Sequence, residues 1–193
     1  MKYLFIILLA VAGMLALFFS FTSSYMSCSD AETRVRHSRL QLTQEVLRMG
    51  ELLPGIASLY YRFGTNGPRV VTYAEQARIE LERQHSPQRM ARAHEALLRS
   101  MREMTAGIAH DARARRHLKY RDLMEAFNET TQRIVYLQLQ YNEAVAAYNQ
   151  LLDRPQPALW RGLMGMTNAE PFLVHTRPPA APAAGARQPR ATR

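Results

Sequence analysis

From Val35 onward the apolar residues of this chain keep a 4-3 rhythm. Val35, Leu42, Val46, Met49, Leu53, Ile56, Tyr60 and Phe63 fall on one helical stripe, with Arg39 its only polar interruption. Pro54 sits inside that stripe and removes the bond to the carbonyl of Gly50, which predicts a kink rather than a break. The run Gly64-Thr65-Asn66-Gly67-Pro68 is a stronger interruption, and Pro68 suits the first position of a second helix reaching about Gln84. Ser86 as N-cap and Pro87 at the first turn start a third helix, carried by Met90, His94, Leu97, Met101, Met104 and Ile108 and ending near Ala109 to Asp111. A last long helix is expected from about Ala114 to Asp153. One of its seams is Leu123, Thr130, Leu137, Ala144 and Leu151, the other Phe127, Ile134, Tyr141 and Tyr148. At about 1.5 Å per residue that rod is roughly 60 Å long. Such a helix cannot hide its stripe alone, so the pattern predicts an all-α chain whose three to four long helices pack as an elongated antiparallel bundle.

The amino-terminal segment reads differently. Tyr3 to Ser29 holds no charged side chain, and Tyr3 to Phe21 is almost wholly apolar. A helix of that length matches the ~30 Å hydrocarbon layer. A cleaved secretory signal competes with this reading, but its apolar core is normally only about 7–15 residues. Residues 1–24 are therefore read as a single transmembrane anchor, 25–174 as the helical bundle and 175–193 as a tail. Cys28 follows Tyr25-Met26-Ser27, a poor approach to a lipid-bearing cysteine, and as the sole cysteine it excludes an intrachain disulfide. Lys2 lies on one side of the anchor and Arg34, Arg36 and Arg39 on the other, so the positive-inside rule does not fix the orientation. A short amino terminus with one Lys is typical of anchors that send the bulk outward, and an extracytoplasmic bundle is the expectation.

Charge changes the picture at the carboxyl end. The net charge is +9, and Thr176 to Arg193 contributes four arginines, no acid, and Pro178, Pro179, Pro182 and Pro189. That composition lacks the apolar content for a core and predicts a disordered basic tail. It is suited to anionic headgroups or an acidic partner surface, or is simply solvated.

Tyr141-Asn142 and Tyr148-Asn149 repeat a Tyr-Asn pair seven residues apart, and Arg154-Pro155 follows. Seven residues are two helical turns, so the tyrosines share one stripe and the asparagines the next. The asparagines are expected to bond across to a neighbouring helix and fix register, with recognition of a partner helix as the alternative. The string resembles the closing helix of the LemA family. Tyr25, Val35, Leu42, Val46, Arg48, Leu52-Leu53-Pro54-Gly55-Ile56, Ala77-Arg78, Gly165-Met166 and Phe172 extend the resemblance over about Tyr25 to Phe172. Met49, Gly55, Thr131, Gln132 and Gln138 depart from the usual pattern. The resemblance implies a divergent member, with a membrane helix and a helical bundle in the bacterial inner membrane or one derived from it. It also implies that Pro157 to Met166, with the sole tryptophan Trp160, folds back over the bundle end; an interfacial or partner-binding hairpin is the other reading.

Little in the chain points to catalysis. His94-Glu95 begins like a zinc-protease helix, but Leu98 stands where the second histidine is required. His110 and His117 are seven apart and share a face only on an unbroken helix, among Arg113, Arg115, Arg116 and Lys119, which repel a cation. No phosphate loop, nucleophile elbow or carboxylate pair is visible. The basic run Ala112 to Arg121 points all round a helix and matches no nucleic-acid module, so no nucleic-acid partner is expected. Met90, Met101, Met104, Met124, Met164 and Met166 are read as core before partner-binding face. No cofactor or metal is expected. The expected partners are the lipid bilayer, membrane-bound proteins and a second copy of the chain. The functional expectation is a noncatalytic scaffold or interaction protein, with Tyr141, Asn142, Tyr148, Asn149 and Trp160 as candidate packing or interaction residues. The alternative is a sensor-like bundle that binds a small ligand through Arg39, His94 or Thr130; a hydrolase ranks below both.

Overall fold

The computed structural model describes residues 2–64 and 67–173. Among them the chain is all α-helical with no strand. The order is α1 (Lys2–Glu51), α2 (Leu53–Phe63), α3 (Arg69–Arg83), α4 (Pro87–Ala109), α5 (Ala112–Arg116), α6 (Leu118–Leu152) and α7 (Pro155–Met164). The expected tail at 175–193 lies outside the described residues.

α1 is a 50-residue helix, about 75 Å long, that runs without interruption from the apolar segment into the bundle. Every side chain from Tyr3 to Phe19 is exposed, whereas Ser24, Cys28, Val35, Leu42, Val46 and Met49 are buried. One rod therefore leaves the bundle and enters it. Leu52 joins α1 to α2 while keeping right-handed helical torsions, with its N–H on the Met49 carbonyl and the Ile56 N–H on its own. The helical path continues past Pro54 with only Leu52 between α1 and α2, so the proline does not end it.

The bundle is made by α1 against α6, α3 against α4, and α2 against α4. Glu45 on α1 faces Arg133 on α6 at 4.0 Å, while Thr33 and Arg34 share a groove with Glu143 and Ala147. One helix climbs as the other descends, so the pair is antiparallel. Two glycines permit close approach: a Cβ on Gly55 would lie 3.0 Å from the Leu123 side chain, and one on Gly107 3.1 Å from the Tyr60 ring. Tyr60 is almost fully buried there, the α2 aromatic lying over the bare backbone of α4.

Three expectations are corrected. The last helix does not begin at Ala114; α5 ends at Arg116 and His117 is extended before α6 starts. Continuing the helix would stack Arg113, Arg115, Arg116, Lys119 and Arg121 within about two turns, and their repulsion favours the break. The same break removes the common face that His110 and His117 need. The core stripe of α6 is Phe127, Thr130, Ile134, Tyr141, Val145, Tyr148 and Leu152, whereas Leu123, Leu137, Ala144 and Leu151 are only half-buried. A straight helix gains about 20° per heptad on a strict seven-residue stripe, so the buried face drifts from Tyr141 toward Val145 and Leu152. Finally, Arg39 does not interrupt the core: it is exposed, and its guanidinium donates to the His85 carbonyl at the α3–α4 turn.

Candidate functional site

After α7 the chain turns at Gly165, whose φ of 66° is left-handed and suited to glycine, and continues as an extended strap to Leu173. The strap lies along α6. Asn149 donates from Nδ2 to the Ala169 carbonyl at 3.0 Å and accepts at Oδ1 from the Ala169 N–H at 2.9 Å. Asn142 makes the same paired contact with Phe172, at 3.0 and 2.8 Å. The spacing explains the repeat. Seven helical residues advance about 10.5 Å, and three extended residues about 10 Å, so positions 142 and 149 meet positions 172 and 169 in antiparallel register.

The tyrosines work from the adjoining stripe. Tyr141 is 2% exposed, and its hydroxyl donates to the Glu170 carbonyl at 2.7 Å. Tyr148 is equally enclosed at 3%. Burial pushes both phenols above their ordinary pKa, so both are neutral, and Tyr141 is the one that donates. The Glu170 side chain in turn accepts from the Ser86 hydroxyl at 3.2 Å. Ser86 occupies the predicted N-cap of α4, yet its side chain spends its bond on the strap rather than on the helix. Phe172 is wholly buried, its ring 6.3 Å from that of His94. His94 is itself buried; desolvation first, and then the charge of Arg102, lower its pKa to about 4. The Asn ladder thus bonds a C-terminal strap, not the neighbouring helix expected from the periodicity. A side-chain amide facing an extended backbone finds a donor and an acceptor together, which a helix flank with its own bonds satisfied does not offer.

Trp160 stands apart from this ladder. It packs edge-to-face on Phe21 of α1 at 5.5 Å, with its indole Nε1 buried and without a hydrogen-bond partner. Arg161 beside it donates to the Met166 carbonyl and to Asn168, and faces Asp153 at 3.7 Å. Those contacts hold the α7 turn against the end of α6. Cys28 is wholly buried in the same region, and burial raises its pKa, so the thiol is protonated and enclosed.

A cleft of about 630 Å³ opens beside the strap, lined among others by Glu32, Arg36, Arg39, Tyr141, Tyr148 and Glu170. Its ions are largely spoken for, because Arg36 pairs with Glu32 at 3.0 Å and Arg39 holds His85. Of the three polar residues that a ligand site in the seam requires, only Arg39 lines this cleft; His94 and Thr130 lie in the core. Among the described residues no group of three or more His, Cys, Asp or Glu is placed to hold a metal ion. The strap has no periodicity that marks it as a structural element in the sequence. Phe172 and the second asparagine at register distance are its visible signals.

A family model described as the LemA family matches residues 38–183. No curated protein matches the chain.

Proposed function

From the premise that this chain belongs to the LemA family, we propose that it is a noncatalytic, membrane-tethered scaffold or interaction protein, with its bundle on the extracytoplasmic side of a bacterial inner membrane. The observation that carries this reading is the continuity of α1. A single helix joins the exposed apolar segment to the core at Cys28, Val35 and Leu42, so the bundle stands rigidly on its anchor rather than on a flexible linker. Val135, Tyr136 and Leu139 add an exposed apolar stretch on α6, a surface suited to a protein partner or a second copy.

The test combines extraction, topology and crosslinking. The full chain is expected to stay in the membrane pellet through carbonate washing, and protease applied outside sealed inner-membrane vesicles of known orientation is expected to cut the bundle from the extracytoplasmic face only. A photocrosslinker at Leu139 is expected to yield discrete protein adducts in the membrane. Full-length protein in the carbonate supernatant defeats the tether, and a crosslinker that labels only monomer defeats the interaction role.

The cleft beside the strap favours a second reading, a bundle that senses a small polar ligand. In that case a ligand raises the melting temperature of the parent, and Arg39→Ala abolishes the rise. A screen of small anions and polar metabolites that leaves the parent melt unmoved counts against it.

A further inference from the structure

We propose that α7 is an interfacial membrane helix, seated in the headgroup layer of the bilayer that α1 enters, with Leu159 and Leu163 reaching into the acyl region. The inference rests on the membrane-tethered reading of the chain. Counting from Tyr3, the ~30 Å hydrocarbon layer takes up about 20 residues of helix and ends near Phe21 and Thr22. That is where the structure puts α7: Trp160 packs on Phe21, while Pro155, Gln156 and Pro157 share a groove with Ser23, Ser24 and Ser27 just above.

The faces of α7 divide accordingly. Pro157 is buried and Trp160 and Met164 are half-buried, whereas Leu159 and Leu163, one turn apart, are 80% and 75% exposed. Two leucines so fully exposed on a helix of ten residues are an unpartnered apolar face. Through Trp160 on Phe21 it is tied to the end of a second one, the exposed apolar surface of α1 from Tyr3 to Phe19, which only a bilayer covers in the tether reading. Continuity of these surfaces identifies the occupant as the same membrane. The single tryptophan falls at the depth where aromatic side chains gather at membrane surfaces. Because the strap is clamped to α6 directly after α7, a seated α7 also fixes the tilt of the bundle.

The experiment uses the full chain in phosphatidylcholine–phosphatidylglycerol vesicles, with Trp160→Phe combined with Leu163→Trp so that one exposed indole reports on this face. Far-ultraviolet circular dichroism checks folding, and Leu159→Trp in the same background serves as a second probe of the same face. The expected result is flotation with the vesicles, blue-shifted emission, quenching by acyl-brominated lipid and protection from iodide. A protein that floats but whose indole is quenched by iodide and not by bromolipid overturns the interfacial helix and leaves the tether intact. A chain that does not float overturns both.

Discussion

The side chain of Asn142 and the backbone of Phe172 exchange two hydrogen bonds, Nδ2 donating to the carbonyl at 3.0 Å and Oδ1 accepting from the N–H at 2.8 Å. Asn149 does the same to Ala169. Removal of the Asn142 amide strands the partly buried Phe172 N–H, while the Phe172 carbonyl keeps the bond from Gln138 Nε2 at 3.3 Å, so Asn142→Ala is expected to cost about 1–3 kcal/mol in urea denaturation of the detergent-solubilised chain. Both clamps hold one strap, so Asn142→Ala with Asn149→Ala is expected to cost less than the sum of the two single changes. Strict additivity would show that the strap does not act as a unit.

Tyr141 combines packing with one hydrogen bond. Tyr141→Ala is expected to destabilise the bundle by about 3–5 kcal/mol, as large aromatic truncations do. Tyr141→Phe keeps the ring and loses only the bond to Glu170, for about 0.5–1.5 kcal/mol. If the two substitutions melt alike, the ring contributes little to the core.

His94 predicts an acid weakness. Its folded pKa is about 4 against 6.5 for an unperturbed imidazole. Below pH 6.5 the unfolded chain takes up a proton that the folded chain refuses until about pH 4, so stability falls across that window and levels off beneath it. The loss attributable to this residue approaches about 3 kcal/mol. His94→Gln is expected to flatten the difference in melting temperature between about pH 7 and pH 4.5 relative to the parent. Equal slopes in the two proteins would assign the acid effect to other groups.

The boundary between anchor and bundle matters for truncation. Ser24 and Cys28 are buried and Phe21 supports Trp160, although all three precede Asp30. A fragment beginning at Ser20 is expected to melt at a higher temperature than one beginning at Asp30, which loses this packing and exposes the α7 contact. Identical melts by circular dichroism would mean that α7 and the lower part of α1 add nothing to the bundle.

Periodicity marked the helical stretches and the buried row Phe127, Ile134, Tyr141 and Tyr148, because a 3.6-residue repeat of apolar side chains has one way to leave water, and the Ser86-Pro87 pair marked the start of α4. The length and charge-free composition of Tyr3 to Phe21 likewise marked a helix suited to a bilayer. The LemA-like string placed Tyr141 and Asn142 at a special position without saying what they hold. Their partner is an extended segment with no periodicity of its own, and its register follows from matching two different rises per residue across 20 to 30 positions of sequence. The break at His117 was equally hidden, since charge repulsion competes with helix propensity in a run where both are strong. Only the packed structure decided that α1 passes unbroken from anchor to core and that Trp160 meets Phe21. Contacts between residues distant in sequence depend on how rods of fixed length lie together, and a local pattern carries no record of that.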